Sequence, residues 1–299
     1  MQQWQGALLV LTGSACYGVL STLTKLAYAQ GFATSAVVGC QVLFGVASLL
    51  VTSRLQWRTL LAPSKRVRWW LFVGGMLSGL TGIFYYLSLR TLGATEAVVV
   101  LFQFTWMGML WEWLWRGNKP SVKQIAGLAL VLTGTWVASG GIRQDVDLVG
   151  IALALTAAAC YALFLDCNGN VGLDAPSAAR TVWMAIGTAV LTYAVFPPRF
   201  LFDGQLEQGL WLWGLGLGVF GIALPYCCLS RGVPLVGTAA ASLLGAVELP
   251  AVAMVAFLVL DERLSGVQLL GIGVLLGGVL LSSAGKQASL GKPKKTSVA

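Results

Sequence analysis

The sequence predicts an all-α polytopic membrane protein, ten transmembrane helices arranged as two inverted-topology repeats of five. Three observations predict it. The chain has 299 residues of which 57% are hydrophobic and only 10% charged, with a mean hydropathy of +0.81; a soluble surface needs far more charge. Apolar runs of about 20 residues, each long enough to cross a hydrocarbon core of ~30 Å, recur down its whole length. Residues also recur at a constant spacing: Thr12-Gly-Ser-Ala-Cys-Tyr17 is answered 144 positions later by Thr156-Ala-Ala-Ala-Cys-Tyr161.

In order, the spans run over 5–28, 34–53, 69–89, 94–115, 121–139, 147–168, 177–197, 209–230, 236–260 and 264–284, broken at charged, Gly- or Pro-bearing loops. The first opens after Met-Gln-Gln-Trp-Gln, with no basic leader and no small-residue cleavage site, so it is expected to be a retained span. The loop after span 2 carries Arg54, Arg58, Lys65, Arg66 and Arg68; the turn after span 4 carries Arg116, Lys119 and Lys123; the tail carries Lys286, Lys292, Lys294 and Lys295. With Arg180 and Arg231 these lie on one side, so both termini are expected in the cytoplasm. The net charge of +8 is therefore loop bias toward one face of the bilayer and not a nucleic-acid footprint.

The same spacing of 144 pairs Trp69 with Trp213, Gly74 with Gly218, and Gln124, Gly127 and Gly134 with Gln268, Gly271 and Gly278. It divides the chain into a first unit at 1–140 and a second at 147–285, followed by a basic tail, 286–299, expected to be disordered. Each unit holds five spans. Five is odd, so the two enter the membrane from opposite sides, as in transporters that alternate access around a midplane site.

Several side chains are candidates for lining such a site. Gln103, Trp106 and Met107 share a face of span 4, where an amide and a flat apolar wall suit an amino acid with a large side chain; the alternative is an interhelical tether with packing. Tyr17 and Tyr161 are repeat partners that either line a shared cavity or fill a symmetric packing niche. Tyr85 and Tyr86 follow a stripe of small residues in span 3, and Tyr226 follows one in span 8. Pro225 and Pro250 have no proline counterparts in the first half, where Thr81 and Trp106 stand; each frees a carbonyl and is a hinge candidate or a static kink, and the second half is expected to bend more than the first. Glu248 is the deepest ionisable group, with no further charge until Asp261, and Ser242 lies on its helix. A carboxylate at that depth is expensive unless compensated, and three readings stand open for it: a proton site, an anchor for a substrate amino group, or a partner to the backbone freed near Pro250. Glu112, Asp166 and Lys25 fall near span ends, and Arg180 reads as a loop or cap charge.

The composition also removes functions. There is no histidine, and the cysteines (Cys16, Cys40, Cys160, Cys167, Cys227, Cys228) form no CxxC, so no metal site or cofactor is expected. No zinc, aspartyl-protease or diphosphate motif supports an intramembrane enzyme, and no GxxxxGK[ST] supports direct use of ATP. A channel-like facilitator stays open as an alternative, without a filter motif to recommend it.

The segments FYYLSLRTLGATEAVVVLFQF (84–104) and AVELPAVAMVAFLVLDERLSGVQLLGIGVLLGGVLL (246–281) resemble the drug/metabolite transporter superfamily, in its EamA-type ten-helix branch. In that family the end of each half commonly reads Glu-Pro or Pro, an apolar run, Gly-Glu-Arg-Leu, then Gln-x-x-Gly. The second half matches with Glu248, Pro250, Asp261-Glu-Arg-Leu264 and Gln268-Leu-Leu-Gly271; the first keeps Gln124 and Gly127 and loses the Glu-Arg pair. The likeness implies a drug/metabolite transporter fold and a secondary exporter of a small molecule. The FYYLSLRT segment and the aromatic fourth span look most like the bacterial aromatic amino-acid exporters of the YddG type, while related exporters handle threonine and homoserine, cysteine derivatives and purines.

Overall fold

The computed structural model describes residues 2–52, 57–88, 91–92, 94–138, 147–251, 254–255 and 265–289. In lipid each backbone N–H and C=O must be satisfied within its own segment, so long apolar runs become helices. Helices α1 (Gln2–Ala29), α2 (Thr34–Thr52) and α4 (Lys65–Ser88) are spans 1 to 3, with the short α3 (Trp57–Leu61) in the basic loop. Span 4 is two pieces, α5 (Ala94–Leu101) and α6 (Phe104–Arg116), and span 5 is α7 (Val122–Ala138). The second half repeats the plan with α8 (Leu148–Asn170), α9 (Ser177–Val195), α10 (Trp211–Gly218) running through a π-helical turn at Val219–Ala223 into α11 (Leu224–Val236), α12 (Thr238–Gly245) and α13 (Gly266–Ser289). Among the described residues, six helical stretches, those of spans 1, 2, 3, 6, 7 and 8, are long and apolar enough by themselves to cross a membrane, and shorter apolar helices occupy spans 5, 9 and 10. Helix α13 runs past the expected boundary at 285; residues 290–299 of the tail and the Asp-Glu-Arg-Leu segment at 261–264 lie outside the described residues.

Local chemistry shows why the halves repeat. The N–H of Ser121 donates to Gln124 Oε1 at 2.9 Å and that of Gln124 to Ser121 Oγ at 3.3 Å. The same reciprocal box recurs at Ser265 and Gln268, at 2.9 and 3.2 Å. The two Gln matches at the repeat spacing are thus helix caps, each worth ~1 kcal/mol.

Packing repeats as well. A Cβ on Gly134 would stand 2.5 Å from Leu275 N, and a Cβ on Gly278 would stand 2.9 Å from Val131 N, so α7 and α13 touch backbone to backbone through positions that exchange under the repeat. Gly6 of α1 packs on Leu235 and Val236, while its counterpart Gly150 of α8 packs on Thr91 and Leu92, their repeat partners. Contacts that swap in this way relate the halves by a pseudo-two-fold axis. Around it, α1 packs on α11, α8 on α4, and α6 on α8 and α12. The largest buried cluster runs along these contacts, with Phe102, Phe104, Phe164, Leu229 and Leu243 sealed within it.

Candidate functional site

The backbone is irregular at two matched places. In span 4 the N–H of Gln103 donates to Val100 O at 3.1 Å and that of Thr105 to Phe102 O at 3.1 Å, three residues back instead of four. In span 9 the N–H of Val247 donates to Leu244 O at 3.2 Å and that of Leu249 to Ala246 O at 3.2 Å. These bonds coincide under the repeat. The tightening withdraws an α-helical donor from the carbonyls of Leu101 and Gly245. Both halves therefore break, which differs from the expectation that proline would bend the second half more. Pro250 follows the break in span 9, where Leu249 takes the Ala246 carbonyl that a proline could not serve; Trp106 stands at the matching position of an equal break. Pro225 is where the halves do differ: the π-helical turn at Val219–Ala223 precedes it, while span 3 runs as unbroken α-helix through the equivalent residues.

Glu248 is the first residue of the helix resumed after the span 9 break, as Phe104 is in span 4. It is half-buried and lies within electrostatic range of the hydroxyls of Tyr17, Tyr85 and Tyr161. Tyr17 and Tyr161 meet edge to face with ring centres 6.2 Å apart, and Phe104 meets Tyr161 edge-on at 4.7 Å. Beyond them Tyr226, 2% exposed, stacks obliquely on Phe164 at 5.3 Å and shares a 2.7 Å hydrogen bond with Thr188. Tyr85 contacts Tyr86 at 6.1 Å, and the Tyr86 hydroxyl donates to Gln41 Oε1 at 3.4 Å. Trp106 Nε1 donates to Gln103 Oε1 at 2.8 Å, so that pair forms one unit at the start of α6, next to Phe104. Ser242 is fully buried: its hydroxyl donates to Thr238 O at 2.9 Å, and its side chain presses on Gly108.

Polar groups read in the sequence as wet span ends prove to be partners. Arg116 of α6 holds Asp166 of α8 through both carboxylate oxygens, Nε to Oδ1 at 3.0 Å and Nη2 to Oδ2 at 2.8 Å. Asn170 adds a bond to Asp166 Oδ1 at 2.8 Å and reaches Thr238 Oγ1 at 3.4 Å. Glu112, one turn before Arg116, accepts the N–H of Ala239 at 2.7 Å, at the start of α12. Arg180 is 3% exposed; its guanidinium donates to Val171 O at 3.1 Å, to Ser230 O at 2.7 Å and to Asn168 O. It serves carbonyls at the C-terminal end of α8, where a cation is favoured, and the Ser230 carbonyl inside α11, which Pro234 four residues on has no N–H to serve. These partners are too distant in sequence for periodicity to reveal, although an acid and a base near two span ends were the available signal.

Two halves related by a pseudo-two-fold, with helices broken at matched central positions, define a polytopic membrane transporter; irregular backbone survives at such depth only where protein or a cavity receives it. Comparison with known proteins agrees. The EamA-like transporter family is matched twice, over residues 4–140 and 148–284, and the chain belongs to that family. The threonine/homoserine exporter RhtA of Escherichia coli (strain K12) is 29% identical over 255 residues, covering 83% of this chain and 80% of the relative. The exporter of the same name from Salmonella typhimurium (strain LT2) is 28% identical, covering 79% and 77%. An uncharacterized transporter of Archaeoglobus fulgidus is 29% identical, covering 56% and 58%. A crystal structure titled only as that of a protein superposes with TM-score 0.78 at 16% identity, covering 96% of this chain and 99% of the other, which establishes the fold.

Proposed function

We propose that this transporter exports amino acids across a bacterial inner membrane by alternating access, with both termini cytoplasmic and the substrate held between the broken spans. One observation carries the reading: Glu248 stands at the span 9 break, half-buried, within electrostatic range of the hydroxyls of Tyr17, Tyr85 and Tyr161. A carboxylate in that setting suits a substrate ammonium group, whose charge-assisted contact with it is worth about 2 kcal/mol. Gln103 and Trp106, joined to each other at the start of α6 beside the matched break of span 4, are assigned to the remainder of the molecule, with amide and apolar surface. Ser242, closed against Gly108, is left out of the lining, and Tyr226 backs it.

Within amino acids, the names of the relatives favour threonine and homoserine. The aromatic lining favours phenylalanine and tryptophan as a second reading. Counterflow of labelled threonine, homoserine, phenylalanine and tryptophan into proteoliposomes decides between them. Saturable exchange of one group supports that reading; linear flux would indicate a channel, and absence of flux for all four would remove amino acids as the class.

A further inference from the structure

We propose that Glu112, Arg116 and Asp166 are positioning residues for transport, forming a latch that shuts the substrate site at the end of the bundle bearing the basic loops. The inference rests on the transporter reading above, but not on the identity of the substrate. The geometry begins with the two half-helices α6 and α12, which run antiparallel with contacts at three levels. Glu112 meets the N–H of Ala239, Gly108 meets Ser242, and Phe104 meets Gly245. Contacts at every turn close the two pieces against each other in this state, and the inner end of each stops at a break: α6 begins after Gln103 and α12 ends before Ala246. The outer end is fastened twice. Glu112 caps α12, where a carboxylate is favoured by the unpaired N–H groups of the helix start. Arg116, one turn further on the same face, clamps Asp166 of α8, and Asn170 ties that carboxylate toward Thr238.

Every one of these bonds joins the first half of the chain to the second, apart from those of Asn170 within the second half. For a substrate to reach Glu248 from this end, α6 must part from α8 and α12, and all the cross-half bonds must open together. The repeat identifies the latch as more than packing. Capping boxes, glycine contacts and breaks all recur at the spacing of 144, whereas the counterparts of Glu112, Arg116, Asp166 and Asn170 are Ala256, Leu260, Thr22 and Leu26. The charged set is thus an addition to one end of a symmetric frame, at the place where the frame must open and close.

The test uses a Ser14→Cys reporter, facing Gly245 at the span 9 break, in a variant whose native cysteines are replaced by alanine. A membrane-impermeant maleimide is applied in vesicles from the side of the basic loops, so no substrate is needed. Asp166→Asn and Arg116→Gln are expected to raise the labelling rate about tenfold, the effect of one charge-assisted contact on an opening equilibrium. Glu112→Gln raises it less, because the amide oxygen still accepts the Ala239 N–H. The exchanged pair Arg116→Asp with Asp166→Arg brings the rate back toward the parent. Labelling at the parent rate in both single variants would overturn the latch. A second measurement covers variants that fold poorly: a Cβ on Gly108 lies 3.5 Å from Ser242 Cβ, inside the disulfide range of about 3.5–4.5 Å. Gly108→Cys with Ser242→Cys, oxidised, should hold the reporter unlabelled and stop flux until reduced. Cross-linked protein that labels or transports like its reduced form would contradict the proposal. Absence of flux in the parent, with labelling as expected, would instead count against the amino-acid reading alone.

Discussion

At the scale of the residue, the buried charges divide by what surrounds them. Arg180 needs no carboxylate because the carbonyls of Asn168, Val171 and Ser230 take its donors; a planar fork presents donors at three separate nitrogens, whereas an ammonium gathers its three on one. Removing it strands those acceptors in a sealed place. Arg180→Met should therefore cost about 2–4 kcal/mol, read as a fall in the unfolding midpoint in detergent, and Arg180→Lys should recover only part of it. An unchanged midpoint for Arg180→Met would show that water serves the carbonyls instead. Glu248 is a different case, half-buried within electrostatic range of three tyrosine hydroxyls, and the proposed function uses its carboxylate for a substrate cation.

At the scale of the element, the broken spans set what the helices can do. The first half breaks at Gln103 with no proline nearby, so Pro250 accompanies the second break without being required for it. Pro225 is tied to a feature that the first half lacks, the π-helical turn. Pro225→Ala should accordingly alter the transport rate more than Pro250→Ala, measured as initial counterflow; the reverse order would place the hinge in span 9. The sequence reveals helices better than it reveals their interruptions. Length, apolarity and the pairing of Gln124 with Gln268 were legible because each leaves a residue type at a fixed place. The break at Phe102–Gln103 was not, because a shift of two N–H bonds by one residue alters no composition. Glu248 and its tyrosines could be nominated one by one, but their convergence depends on contacts among spans 1, 3, 6 and 9. The partnership of Arg116 with Asp166 was hidden for the same reason, since residues near span ends look solvated until the neighbouring helix is in place.

At the scale of the whole molecule, a symmetric frame carries asymmetric chemistry. The pseudo-two-fold relates α7 to α13, α1 to α8 and the two breaks to one another, and such a frame can exchange the arrangements of its halves, which is what alternating access asks of a structure. On that frame one carboxylate, Glu248, has the apolar Phe104 as its counterpart, and one end has the charged latch. In the proposed function the first asymmetry orients the substrate, and in the proposed latch the second distinguishes the two ends of the bundle. The account stands or falls on Glu248 acting as the anchor of a substrate amino group. The most direct measurement is counterflow of the best amino acid from the panel in proteoliposomes containing the wild-type protein or Glu248→Gln, which keeps the side-chain shape and removes the charge. Saturable exchange by the wild type and loss of at least about tenfold in apparent affinity by the variant, with the unfolding midpoint preserved, is the predicted result; equal affinity in the two proteins would contradict it.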